Sequence, residues 1–458
     1  MYIPDDNIIA LSTPGGVGAL AVIRFSGVKV INIADKLFSK NILNSEGYSL
    51  HYGFISHQQE TLDEVMLSVF RAPKSFTGEN MVEISSHGSP IVVNLIIEAF
   101  LSQPKVRLAE PGEFSLRAYQ NKKIDLIKAE SIADLIASES KAAHNIAINQ
   151  LRNGFSKKME TLRQELVDFA ALLELELDFG EEDVEFAKRD KLIALCKAIK
   201  IETETLASSF KYGNVIKNGI QTAIVGKPNA GKSTLLNCLL NDERAIVSNI
   251  AGTTRDTIEE KWTVDGVLFN LIDTAGLREN STDEIEIIGI ERTKKAIEKA
   301  SLILLVIDGT DIDIEETNKT LKQLKTDSLL KVIPVINKAD EISAVQKQQI
   351  LARIEEPLFV AAKNADIDDL NKALQALAKT LNLESKNPMI SNLRHLHALQ
   401  NASAALDTVI KGIDNNQYID QIASDLKEAL FHLGAITGGS ISADEVLSSV
   451  FSRFCIGK

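Results

Sequence analysis

The 458 residues, about 50 kDa, carry 63 acidic against 50 basic side chains for a formal net charge of −13, with 45 % hydrophobic and 25 % charged residues. That balance excludes disordered, fibrous and collagen-like chains, leaves room for two or three domains, and argues against gripping nucleic acid by bulk charge, a local basic patch aside. Three scattered cysteines, Cys196, Cys238 and Cys455, match neither a disulfide framework nor a zinc spacing, so a reducing cytoplasmic setting is expected.

In chain order, residues 19–25, 50–55, 64–71 and 81–86 are β-branched or aromatic runs bounded by Gly, Pro and polar clusters, and residues 90–100 read as a helix. They predict one mixed α/β domain over 1–118. From 119 to 215 Leu, Ala, Glu and Lys dominate; Leu162, Leu166, Phe169, Leu173 and Leu177 recur at helical spacing, and the helical texture is expected to end near Tyr212-Gly213. Residues 221–225, 268–272, 301–307 and 331–336 then read as strands alternating with helices, which predicts a mostly parallel sheet over 216–381. Residues 382–458 return to helix, with a capping box at Ser442-Ala443-Asp444-Glu445. Two helical stretches on either side of an α/β unit predict that the unit is inserted into one helical domain. No window is long and apolar enough to span a membrane, the N-terminus lacks a secretion signal, and Cys455-Ile456-Gly457-Lys458 does not suit prenylation.

Gly226-Lys227-Pro228-Asn229-Ala230-Gly231-Lys232-Ser233-Thr234 has P-loop spacing between an apolar strand and a helix. Backbone N–H groups there can cradle an anion, Lys232 can neutralise β- and γ-phosphates, and the Ser233 hydroxyl can ligate Mg²⁺. Asp273-Thr274-Ala275-Gly276 ends the next strand, where a carboxylate can reach Mg²⁺ and a Gly amide the γ-phosphate. Asn337-Lys338-Ala339-Asp340 ends a later one, and Asp340 can accept both donors of a guanine edge. Adenine has no such pair, so the nucleotide is GTP. Thr253-Thr254-Arg255-Asp256 lies between, where a threonine can meet Mg²⁺. Together these elements predict a translation-factor-related GTPase. Val360-Ala361-Ala362-Lys363 stands where such GTPases usually show Ser-Ala-Lys, without the hydroxyl.

Leu277 occupies the position of a water-orienting glutamine, so another group must hold the water. Glu279, Asp283, Glu284 and Glu286 are candidates, with a solvated acidic loop as the alternative. Charge developing between the phosphates also needs a cation. Asn229 with Ser248-Asn249-Ile250-Ala251-Gly252-Thr253 can coordinate a monovalent ion; Arg255 acting directly is the rival.

Over nearly its whole length the chain resembles the tRNA modification GTPase family MnmE, also called TrmE. The resemblance rests on Gly15-Gly16-Val17-Gly18 with Arg24, Ser75-Phe76-Thr77-Gly78-Glu79, Gly88, Pro111-Gly112-Glu113-Phe114-Ser115, the GTPase motifs, and Phe454-Cys455-Ile456-Gly457-Lys458. It implies a folate-binding-like N-terminal domain that pairs into a homodimer, a helical domain, and an inserted Ras-like P-loop domain whose potassium-dependent dimerisation drives the cycle. It implies tRNA as substrate and a flavin-dependent partner, MnmG (GidA), in a heterotetramer or larger complex. The two would add an aminomethyl-type group, such as carboxymethylaminomethyl, at C5 of the wobble uridine, with 5-formyltetrahydrofolate or a related reduced folate supplying the one-carbon unit. By motif, Arg24, Glu83, Lys123 and Lys458 are implied folate residues, with Arg24 and Lys123 at the glutamate carboxylates and Glu83 at the pterin edge; ion pairing is the alternative. Asn229, Ser248, Ile250 and Thr253 map to K⁺, Ser233 and Thr254 to Mg²⁺, and Glu286 to the water-positioning glutamate. Cys455 is a candidate nucleophile or thiol carrier, or a half-buried helix residue. His87 reads as structural, and His395 with His397 as no metal pattern.

A ribosome-assembly or RNA-chaperone GTPase is the competing function. Arg24 with the Gly-rich N-terminal region, the Cys455 to Lys458 ending and the net acidity favour the modification enzyme.

Overall fold

A computed structural model describes residues 6–152, 154–178, 188–241, 260–272, 297–325, 331–384 and 388–438, with residues 451, 454 and 457. Residues 1–133, 159–167 and 430–458 form one unit, and residues 134–158 and 168–429 the other.

The first unit is built on β1 (Asn7–Leu11), β2 (Leu20–Gly27), α1 (Val30–Leu37), β3 (Ser49–His57), β4 (Glu60–Phe70), β5 (Met81–His87), α2 (Pro90–Leu101), β6 (Val106–Leu108) and α3 (Glu113–Gln120), followed by α4 (Leu126–Ile136). The strands form one sheet in the order β3-β4-β5-β2-β1-β6, antiparallel except for β1 with β6. Period-two alternation sends Ala21, Ile23, Phe25, Val65, Leu67, Val82 and Ile84 to one face, where Val30, Ala34, Ile96 and Phe100 of α1 and α2 cover them. Alternate residues on the other face include Leu20, Leu50, Tyr52 and Phe54, 70, 61, 50 and 42 % exposed. Strands and helix read from sequence at 19–25, 50–55, 64–71, 81–86 and 90–100 all appear, whereas β1, α1, β6 and α3 were not foreseen.

In the second unit α5 (Lys141–Leu151), α6 (Gly154–Asp178) and α7 (Arg189–Asn218) lead into β7 (Ile220–Val225), α8 (Lys232–Asn241), β8 (Glu260–Val264), β9 (Val267–Leu271), β10 (Leu302–Asp308), α9 (Ile314–Lys325), β11 (Lys331–Asn337), α10 (Ala344–Arg353), β12 (Leu358–Phe359) and α11 (Asp368–Glu384); α12 (Leu393–Asp414) and α13 (Ile419–Thr437) follow. Residues 159–167 of α6 and 430–437 of α13 belong to the first unit. The predicted apolar stripe on α6 is buried at Leu166 and Leu173, but Leu177 is 41 % exposed.

The second sheet runs β12-β11-β10-β7-β9-β8 and is parallel apart from β8 with β9. Both faces are buried: Ile224, Leu304, Val306, Ile333 and Val335 on one side, Ala223, Val225, Ile303, Leu305, Val332 and Ile336 on the other. That explains the near-continuous apolar strands in the sequence.

The helix expected to stop near Tyr212-Gly213 runs instead to Asn218, and Gly219, at φ 82°, makes the turn into β7. Gly213 serves close packing: a Cβ there would lie 2.1 Å from the Ile390 carbonyl oxygen. α7 and α12 lie side by side, with Lys200 Nζ 2.6 Å from Asp407 and the Ser403 hydroxyl donating to Glu204 at 3.1 Å. Helices preceding and following the second sheet therefore pack together, as an inserted α/β unit requires. The Ser442 capping box lies outside the described residues.

Candidate functional sites

The P-loop occupies the carboxyl end of β7, central in its sheet, where parallel α/β sheets bind ligands. Gly226 has φ 155° and Asn229 φ 62°, and Gly231, at φ 91°, opens α8. Residues 226–231 thus form the strand-to-helix turn that aims its own backbone donors and those of the first turn of α8, residues 232–234, at an anion. Lys232 Nζ donates to the carbonyls of Gly226 and Lys227, both at 2.9 Å, and burial pushes its pKa down. An arriving phosphate would replace two neutral acceptors with a charged one. Lys227 pairs with Glu316 of α9.

Asn337 ties the nucleotide loops together. Its Nδ2 donates to the Ala230 carbonyl at 2.8 Å, and its Oδ1 accepts from the Ala362 N–H at 3.1 Å. Lys338, at φ 60°, reaches Asp308 at the end of β10, an ion pair that raises the Lys338 pKa mainly through its hydrogen bond. The Asp308 carboxyl is pushed up by burial but held below its usual value by hydrogen bonds from Lys338 and Thr310. Asp340 is exposed beside the 3₁₀ turn Ala362–Asn364, its Oδ2 accepting from Asn364 at 2.8 Å. The thiol of Cys238 on α8 donates to the Ala362 carbonyl at 2.9 Å. Asn229, Ala230, Gly231, Lys232, Ser233 and Thr234 are therefore brought together with Asn337, Lys338 and Asp340.

Ser248, Asn249, Ile250, Ala251, Gly252, Thr253 and Thr254, the Asp273, Thr274, Ala275 and Gly276 motif, Glu286, Arg255, Cys455 and Lys458 lie outside the described residues.

In the first unit, Arg24 on β2 faces Glu83 on β5 across the register, with Nη2 to Oε1 2.8 Å. The guanidinium lies 4.9 Å from the Phe76 ring centre and 5.7 Å from that of Phe114, and Nη1 donates to the Gly457 carbonyl at 3.4 Å. Ser12 donates to the same carbonyl at 3.1 Å. Arg24 and Glu83 thus form one ion pair. Adjacent strands β2 and β5 hold the two side chains together. Lys123 donates to the Pro73 carbonyl at 2.9 Å, on the same 73–79 segment that supplies Phe76.

Below this site lies a network absent from the sequence reading. Arg117, 1 % exposed, bonds Asp6 at 2.5 Å, Glu113 at 3.1 Å and Glu79 at 3.2 Å, while Arg107 bonds Asp6 and Glu113. Burial alone would lower the Arg117 pKa, but the carboxylates of Glu79, Asp6 and Glu113 raise it. Ser26 links Glu79 to Thr77, fixing the segment that carries Phe76. The only available signal was charged residues inside apolar or glycine-bounded motifs, such as Glu79 after Gly78.

His87 pairs with Asp63 at 2.7 Å, mainly a hydrogen bond that raises its pKa, in keeping with a structural role. His395 is buried, and among the described residues no cluster of His, Cys, Asp or Glu has metal-binding geometry. Among them too, no helix is long and apolar enough to cross a membrane.

Two family models match the chain: the MnmE helical domain over residues 126–455 and the GTP-binding protein TrmE N-terminus over residues 7–123. A tRNA modification GTPase MnmE from Cytophaga hutchinsonii is 45 % identical, with 99 % of this chain and 98 % of that protein covered. Proteins of the same description from Flavobacterium psychrophilum and Flavobacterium johnsoniae are 45 and 44 % identical, covering 99 and 100 % of both chains.

Proposed function

The chain belongs to the MnmE (TrmE) family of tRNA modification GTPases, and from that premise we propose that it couples GTP hydrolysis to one-carbon chemistry at C5 of the wobble uridine in tRNA. MnmG (GidA) is the proposed flavin-dependent partner, in a heterotetramer or larger complex, and the setting is cytoplasmic. The observation that carries this proposal is a residue cluster remote in sequence from the P-loop: the Arg24–Glu83 pair flanked by Phe76 and Phe114, with the Gly457 carbonyl on the same guanidinium.

That donor set fits a reduced folate. Aromatic rings and a guanidinium can hold a flat heterocycle or a carboxylate, and Glu83 can accept from ring N–H groups. Lys123 and Lys458, which follows Gly457 directly, are proposed to complete the site, with Cys455 as a thiol near the reacting carbon. The folate supplies a one-carbon unit; the protein's own groups orient it and hold its charged ends.

At the GTP site, Lys232 would balance the β- and γ-phosphates while Asp340 accepts from guanine. Ser233 with Thr254 is proposed to hold Mg²⁺, Asn229 with Ser248, Ile250 and Thr253 a K⁺, and Glu286 the attacking water. Potassium-dependent pairing of the inserted domains belongs to the same proposal. The apolar open face of the first sheet, with Leu20, Leu50, Tyr52 and Phe54, favours a homodimer through this unit.

Calorimetric titration with 5-formyltetrahydrofolate tests the proposal. Saturable binding near one folate per chain is expected, about tenfold weaker in Arg24→Ala. No binding would overturn the one-carbon assignment while leaving membership of the tRNA modification GTPase family in place.

A further inference from the structure

We propose that Asn364 positions the guanine-reading carboxylate of Asp340 and so sets base affinity and discrimination at this site. The inference rests on Asp340 being the guanine acceptor.

Such GTPases usually carry a serine where this chain has Ala361, and the Ala361 methyl can donate nothing. The next residues build a replacement. After Ala361, the turn Ala362–Asn364 closes with the Asn364 N–H on the Ala361 carbonyl at 2.9 Å. Ala365 enters the left-handed region at φ 57°, and the chain folds back so that the Ala361 N–H meets the Asp366 carbonyl at 2.8 Å. The result is a tight loop that carries Asn364 toward the Asp340 loop. There Asn364 Nδ2 donates to Asp340 Oδ2 at 2.8 Å.

The amide orientation follows from chemistry, because a carboxylate accepts only from the NH₂ end. Each carboxylate oxygen has two lone-pair sites. One donor on Oδ2 therefore takes a single site of the four and leaves lone pairs on both oxygens for the guanine N1–H and 2-amino group. Asn364 is neutral, so it restricts carboxylate rotation without cancelling the charge that attracts those donors. The base of the loop is held separately, by Asn337 and Cys238 on Ala362. Removing the Asn364 amide therefore leaves the loop's own anchors in place.

The test uses competition against fluorescent GDP on the full chain, with unlabelled GDP and with IDP, which lacks the 2-amino group. Asn364→Ala is expected to weaken GDP about tenfold and IDP distinctly less, because a swivelling carboxylate loses its bidentate grip first. Asn364→Asp keeps the shape but sets an acceptor against a carboxylate, and is expected to weaken GDP more than alanine does. Ala361→Ser in the Asn364→Ala chain should restore part of the loss by returning a hydroxyl to the usual place. Equal loss for GDP and IDP, or no loss in either variant, would overturn the inference. Asp340→Ala serves as the control: if it leaves GDP binding unchanged, the guanine assignment itself is wrong, whereas a weakened Asp340→Ala beside an unchanged Asn364→Ala rejects only the role of Asn364.

Discussion

Gly231 shows how little room the nucleotide loop leaves at the scale of one residue. A Cβ there would lie 2.1 Å from Asn337 Nδ2, the atom that ties the P-loop to the base-contacting segment, and φ 91° is strained for any side chain. Gly231→Ala is therefore expected to weaken nucleotide binding ten- to a hundredfold, by about the 1–3 kcal/mol that such strain costs. Titration with fluorescent GDP would measure it, and wild-type affinity would show that the loop relaxes freely. Lys232 differs in kind. Its spacing is visible in the sequence, but its engagement with the Gly226 and Lys227 carbonyls is a product of the folded turn.

The short helix α3 owes its position at the scale of one element to charge as much as to packing. Phe114 and Ala118 are buried, yet so are Glu113 and Arg117, one helical turn apart and bonded to each other. Burial pushes the Glu113 carboxyl up, but hydrogen bonds from Arg107 and the Glu110 N–H, with the charges of Arg117 and Arg107, bring it below its usual 4.5. A carboxylate whose folded pKa is depressed stabilises above its unfolded value and loses that contribution as pH falls through the folded one. The first unit should therefore lose stability on acidification from about pH 4.5 downward, and Glu113→Gln should flatten that dependence. At neutral pH the same substitution leaves Arg107 and Arg117 under-compensated, at a cost of about 3 kcal/mol. Urea unfolding followed by circular dichroism at pH 7 and pH 4 measures both, since the lone Trp262 reports on the other unit. Equal acid sensitivity in variant and wild type would assign the effect to other carboxylates.

The insertion of the GTPase sheet between α7 and α12 is a property of the whole molecule. Chain entry and exit meet where Gly213 packs against Ile390, and the Gln150 amide donates to the Met389 carbonyl at 3.0 Å. Ends that close together make an insertion removable. Replacing residues 219–388 by a short flexible linker is expected to abolish GTP hydrolysis while the remainder keeps its helical circular dichroism and its folate titration. Loss of both would mean that the helical domain needs the sheet to fold.

The strands of both sheets other than β1, β6, β8 and β12, the P-loop and the guanine motif were legible because each is contiguous: its spacing alone sets a period, a turn or a backbone cradle. Membership of the family was legible for the same reason, in short motifs spread over the chain. The end of α7 was not, since Gly213 reads as a helix breaker and only Ile390, far along the chain, shows that it is a packing glycine. The pairing of Arg24 with Glu83, the Gly457 carbonyl 433 residues away, the buried Asp6–Arg117 network and the Asn364 contact were decided by tertiary structure. Sequence by itself determined which chemical groups the chain owns and which local geometry each can adopt. Only the fold decided which of them meet, because contacts between distant residues depend on strand order, register and close approach that no local spacing contains.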